Sequence, residues 1–155
     1  MPKTLIVYYS RDGNTKKVAE KLAEQMSCDI IQITESKSRK GILGFLKAGM
    51  EASRKTQPPI ILPEINLEDY ELFLIGTPIW AGAMASPVRT FMVQKLPKTA
   101  DYAIFYTRGG AGDLPIGTAT EKIVGKAPKV VVGIGRKEMI SGKWESKLNS
   151  CTDLA

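Results

Sequence analysis

The sequence predicts a three-layer, doubly wound α/β fold, a parallel sheet of five strands with helices on both faces. Two observations point there. Short apolar runs rich in β-branched residues recur along the 155 residues and alternate with segments of helical periodicity. Those runs are continuous rather than alternating in polarity, as strands covered on both faces require.

The elements follow in order. Thr4 to Tyr9 ("TLIVYY") reads as the first strand. The helix after it carries Val18, Ala19, Leu22, Ala23 and Met26 on one stripe, with Asn14 or Thr15 placed to cap it. Ile30 to Ile33 ("IIQI") reads as the second strand. The segment "SKSRKGILGFLKAGMEASRK", Ser36 to Lys55, then sets Ile42, Phe45, Leu46 and Met50 at helical spacing among Lys37, Arg39, Lys40, Lys47, Arg54 and Lys55. It reads as a crossover helix that packs its apolar stripe and solvates its basic face; contact with a membrane or a partner is the alternative. "QPPIILPEINLEDY" is an extended, Pro-punctuated connection to the third strand, Leu72 to Ile75 ("LFLI"). The next helix takes Ser86 as cap and Pro87 at its first position, turns Val88, Phe91 and Met92 inward, and stops before Pro97. Tyr102 to Tyr106 ("YAIFY") is the fourth strand. A helix capped by Asp113 follows, with Ile116, Ala119 and Ile123 in phase, and ends near Gly125 and Pro128. Val130 to Ile134 ("VVVGI") is the fifth strand, and Trp144, Leu148 and Cys151 point to a short final helix. Residues 1–155 read as one domain.

Composition narrows the chemistry. With 43% hydrophobic and 25% charged residues the chain has an ordinary globular balance. No apolar run is long enough to span a bilayer and the N-terminus lacks a signal-peptide layout, so a cytoplasmic location is expected. There is no histidine, and Cys28 and Cys151 are widely spaced, which disfavours a structural zinc site or a Cys/His nucleophile; both thiols read as packing residues. A net charge of +6 is compatible with nucleic acid, an anionic membrane, an acidic partner, or a merely basic surface. No nucleic-acid partner is expected. No GxxxxGK[ST] occurs, and "GAGDLP" from Gly110 and "GIGRKE" from Gly133 each lack the last glycine of GxGxxG. Gly76 and Thr77 stand where a phosphorelay receiver needs its acceptor aspartate.

In an open parallel sheet ligands bind beyond the carboxyl ends of the strands, where strand order reverses. Three loops at that edge are unusual. "SRDGNT", Ser10 to Thr15, offers side-chain donors in Ser10, Asn14 and Thr15 beside Gly13 at a helix N-terminus. It reads either as a plain turn with a cap or as a phosphate cradle, with Arg11 adding charge and Asp12 opposing an anion unless it points away. "GTPIWAGAMASP", Gly76 to Pro87, sets Trp80 among small residues as the one large candidate for stacking on a planar ring. "TRGGAGDLP", Thr107 to Pro115, is glycine-rich enough for a ligand to approach its backbone closely.

Taken together, "SRDGNT", "GTPIWAG" and "TRGGAGD" in this order and spacing resemble the phosphate loop and the two ring-binding loops of a short flavodoxin, over nearly the whole chain. The resemblance implies strand order 2-1-3-4-5 and FMN held non-covalently at the switch point. It implies that Ser10, Arg11, Asp12, Gly13, Asn14 and Thr15 surround the phosphate. Thr77, Pro78, Ile79, Trp80, Ala81 and Gly82 would flank the ring with Trp80 stacked on it; Thr107, Arg108, Gly109 and Gly110, with Asp113 beyond them, would close its other edge. The fourth-strand loop lacks the tyrosine many flavodoxins place over the outer ring face, and the chain is basic where flavodoxins are typically acidic. The implied activity is electron shuttling between redox protein partners, here acidic ones. The alternative is an FMN-dependent NAD(P)H:quinone or flavin reductase, and a flavin-free interaction module ranks third. No nicotinamide motif or catalytic acid-base residue is visible, which favours the carrier.

Overall fold

Strands with no polar face need cover on both sides, and the computed structural model, which describes residues 1–36, 41–110 and 113–155, supplies it. The strands are β1 (Thr4–Tyr8), β2 (Asp29–Gln32), β3 (Leu72–Trp80), β4 (Ala83–Met84), β5 (Asp101–Arg108) and β6 (Val131–Gly135). The helices are α1 (Asn14–Met26), α2 (Gly41–Ser53), α3 (Ser86–Gln94), α4 (Ile116–Val124), α5 (Arg136–Ser141) and α6 (Asn149–Thr152). Five strands pair in parallel in the order β2-β1-β3-β5-β6, with β4 antiparallel to the end of β3. Setting the two-residue β4 aside, this is the expected order 2-1-3-4-5.

Alternate residues of each strand enter different layers. Leu5, Val7, Phe73, Ile75, Tyr102 and Ile104 pack with Ala48 and Ala52 of α2, Val88 and Phe91 of α3 and Ile116 of α4. Ile6, Tyr8, Leu74, Ala103, Phe105 and Ile134 pack with Val18, Ala19 and Leu22 of α1 and with Trp144, Leu148 and Cys151. Fully burying a side chain such as Leu22 or Phe91 contributes about 1.5–3 kcal/mol. Two close approaches fix neighbouring strands: a Cβ on Gly76 would run into the Phe105 ring opposite it, and one on Gly133 into the Tyr106 ring opposite it.

Several ends differ from expectation. Gly13, at φ 93, is the residue before α1, so Asn14 and Thr15 lie in the first turn instead of capping it. Ala85 precedes α3 and Ser86 is its first residue; the Ser86 hydroxyl reaches sideways to Glu51 Oε2 at 3.1 Å. α4 begins behind Pro115, so Asp113 is not its cap. β3 runs past Ile75 to Trp80 and turns through Ala81 and Gly82 into β4, because both turn residues take positive φ (48° and 76°) and close a two-residue hairpin. The crossover helix is inverted: Ala48 and Ala52 pack inward while Ile42, Phe45, Leu46 and Met50 are exposed. Of its expected basic flank, residues 37–40 lie outside the described residues, as do residues 111–112 of the fourth-strand loop. Among the described residues no helix is long and apolar enough to cross a membrane.

Candidate functional site

β1, β3, β5 and β6 end at one edge of the sheet, and their loops enclose a cavity of about 640 Å³. That lies within the range of roughly 300–1,000 Å³ for small-molecule and cofactor sites. On one side is the turn from β1 into α1. Gly13 N–H donates to the Ser10 hydroxyl at 3.0 Å, which folds the loop back on itself, and the left-handed Gly13 then launches the helix. The first-turn amides of an α-helix have no partner within the helix, and its dipole favours an anion in front of them. Ser10, Asn14 and Thr15 line the cavity there. The buried Thr15 and Thr107 hydroxyls are 2.8 Å apart, tying the start of α1 to the end of β5.

Charge in the cavity is one-sided. Arg11, Lys17, Arg108 and Arg136 line it against a single carboxylate, Asp12. Asp12 pairs with Arg11 at 3.2 Å and is 65% exposed, so its charge is both countered and turned outward. Arg11 also donates to the Gly41 carbonyl at 3.1 Å and lies 5.3 Å from the centre of the Phe45 ring, linking the loop to α2. This set of hydroxyls, helix amides and cations suits a phosphate dianion, and the carboxylate is placed so as not to oppose one.

The rest of the wall is flat or apolar: Pro78, Ile79 and Trp80 from β3, Phe45 from α2, and Met139 and Ile140 from α5. Trp80 is only 7% exposed, not the open aromatic expected. The edge-on ring of Tyr9, 5.5 Å away at 88°, covers it. It therefore contributes to the wall from a fixed position.

The structure brings together Ser10, Arg11, Asp12, Asn14, Thr15, Pro78, Ile79, Trp80, Thr107, Arg108 and Gly109. Gly13 shapes the loop behind them. Thr77 is not a lining residue, because its hydroxyl accepts from Ala85 N–H at 3.0 Å and donates to the Pro78 carbonyl at 2.8 Å, bracing the hairpin. Ala81 and Gly82 form the hairpin turn and do not line the cavity either. Gly110 and Asp113 lie in an adjoining cavity of about 350 Å³ that shares Arg108 and Gly109 with the first. Sequence reasoning missed Lys17, Phe45, Arg136, Met139 and Ile140. The signal for the last three was positional: β6 ends at the same edge, so "GRKEMI" after it belongs with the other three loops.

Neither cysteine belongs to this site. Burial pushes the Cys151 thiol up to about 11, and burial also raises that of Cys28, which keeps both protonated and unreactive. Among the described residues no cluster of His, Cys, Asp and Glu could hold a metal ion.

A family model described as Flavodoxin matches residues 3–150. The chain belongs to the flavodoxin family. Its solved relatives include a flavoprotein from Lactobacillus acidophilus NCFM in complex with FMN, 28% identical over 94% of this chain and 99% of that one, with a TM-score of 0.70. The apo-form of the flavoprotein from the same organism matches at 26% identity and TM-score 0.61, covering 93% and 97%. Oxidised flavodoxin 1 from Bacillus cereus, at 13% identity, TM-score 0.55 and coverage of 98% and 99%, shares the fold. The family match thus spans the turn after β1 and the ends of β3, β5 and β6 that frame the cavity.

Proposed function

We propose that this flavodoxin-family chain binds FMN non-covalently in the larger cavity and carries electrons between redox proteins. The observation that carries this reading is the meeting of a helix N-terminus rich in donors with a flat apolar wall in one cavity. Ser10, Asn14, Thr15 and the first amides of α1 would hold the phosphate, with Arg11 and Lys17 supplying charge. Pro78, Ile79 and Trp80 would bound the ring on one side, and Thr107, Arg108 and Gly109 on another. Bound FMN supplies one- and two-electron redox chemistry. The chain's own residues would orient the group, keep water from its apolar side and hold the cavity's one carboxylate, Asp12, in a pair with Arg11. The solved complex of the Lactobacillus relative with FMN supports the cofactor assignment.

The carrier role rests on what the cavity lacks among its described residues. Its single carboxylate is tied to Arg11 and the chain contains no histidine, so no side chain is placed as a general acid or base. The net charge of +6 suits acidic protein partners. A second reading, an NAD(P)H:quinone or flavin reductase, is favoured by the adjoining cavity of about 350 Å³, which Lys137 and Lys147 line together with Gly133 and Gly135. Lys147, however, is committed to Glu138 at 2.7 Å and to the Gly133 carbonyl at 2.9 Å.

The visible spectrum of purified protein tests the cofactor. A yellow preparation that releases FMN on denaturation, about one per chain, is expected; a colourless protein whose spectrum and melting ignore added FMN overturns the proposal. Assay of the holoprotein with NADPH and a soluble quinone separates the two roles. Sustained NADPH oxidation would put the reductase first.

A further inference from the structure

We infer that the outward face of α2 is a docking surface for an anionic membrane interface. It is independent of whether FMN occupies the cavity. The motivating observation is the inverted packing of this helix: Ala48 and Ala52, 1% and 0% exposed, form its seam against the sheet, and Gly49 approaches Ala81, whereas Ile42, Leu43, Phe45, Leu46 and Met50 are 80%, 84%, 61%, 60% and 48% exposed. Single exposed leucines are ordinary. Five large apolar residues on one helix are not, because together they form a contiguous patch that water covers at a cost.

The occupant is set by charge and shape. Lys47, Arg54 and Lys55 are exposed on or just beyond the helix, and Lys37, Arg39 and Lys40 precede it in sequence. The one acidic residue in that stretch, Glu51, is largely buried: it accepts from Ser86 of α3 at 3.1 Å and pairs with Lys47 at 3.9 Å, and the stretch keeps a surplus of cations over this single carboxylate. An amphipathic helix with apolar residues on one side and cations around them is the pattern that lies in the headgroup region of anionic bilayers. A second copy of the chain fits poorly, since a two-fold contact would press these cations against their equivalents in a partner of net charge +6. A protein groove would have to clasp a convex rod, whereas lipid headgroups part around it. Phe45 belongs to this face and also lines the larger cavity, so docking places the rim of that cavity at the lipid surface.

Flotation of the full chain with vesicles tests this. With equal parts phosphatidylglycerol and phosphatidylcholine the protein floats with the vesicles; with phosphatidylcholine alone, or in high salt, it stays behind. The double variant Leu43→Asp/Leu46→Asp lowers the bound fraction at least about tenfold, as expected when two apolar anchors are replaced by charges. Arg54→Glu/Lys55→Glu also lowers it, and both variants keep the parent circular dichroism and melting temperature because neither touches the core. The inference is overturned if the parent ignores anionic vesicles, or if it binds them equally well with Leu43 and Leu46 replaced, which would reduce the effect to surface charge. It is equally overturned if light scattering shows a dimer that the leucine variant dissociates, since the face is then covered by a second copy.

Discussion

A single methyl group at Gly133 meets the ring of Tyr106, whose hydroxyl is itself held by Leu114 N–H at 3.2 Å and cannot swing aside freely. Gly133→Ala should therefore cost about 1–3 kcal/mol in urea unfolding, as overpacking does. Gly109→Ala, where a Cβ meets nothing within 4 Å, should stay within about 0.5 kcal/mol. Tyr70 gives a second residue-scale prediction. Its hydroxyl donates to Asp29 Oδ2 at 2.6 Å, and that hydrogen bond, with burial, pushes its ionisation from 10.0 up to about 12. A group whose ionisation is raised in the folded state stabilises the fold fully below its unfolded value, and that contribution disappears as pH climbs through the folded one. Stability should thus fall between about pH 10 and 12, and Tyr70→Phe should flatten that part of the profile while costing about 1 kcal/mol at neutral pH. The tight turn through Ser10 and Gly13 into α1 was legible in the sequence because a strand-to-helix turn is local chemistry. The burial of Trp80 was not, because it depends on Tyr9, seventy-one positions earlier in the chain, arriving edge-on across the sheet.

Among the elements, the five main strands and the faces of α1, α3 and α4 could be read from periodicity alone. The hairpin of β3 and β4 could not, since Ala81 takes a positive φ that alanine disfavours and only the surrounding structure imposes it. α2 misled for a different reason. Hydrophobic periodicity identifies an apolar stripe but not which way it faces, and here a seam of alanines takes the inner side, with Ala48 and Ala52 in the core and Gly49 close to Ala81 of the hairpin turn. Thermal or urea unfolding checks this directly: Ala48→Leu should destabilise by about 1–3 kcal/mol, whereas Leu46→Ser should change stability by no more than about 0.5 kcal/mol. The opposite ranking would restore the conventional orientation of the helix.

For the molecule as a whole, a ligand that binds only the folded state adds to its stability by mass action. FMN at one hundred times its dissociation constant should add about 2.7 kcal/mol and raise the melting temperature by roughly 5–10 °C in a chain of this size. Thr15→Val breaks the hydroxyl pair with Thr107 and should shrink that rise, read by melting the variant with and without FMN. The sheet also has an ambiguity that the glycines resolve. Both of its faces are greasy, so sliding one strand by two residues keeps every apolar side chain covered, and hydrophobicity alone is indifferent to the slip. Gly76 and Gly133 act as keyways, each the notch that admits one ring: a two-residue slip would set Phe105 against Leu74 or Pro78, where no notch exists. The alignment of the loops that frame the cavity is thereby encoded in two positions where the chain has no side chain at all.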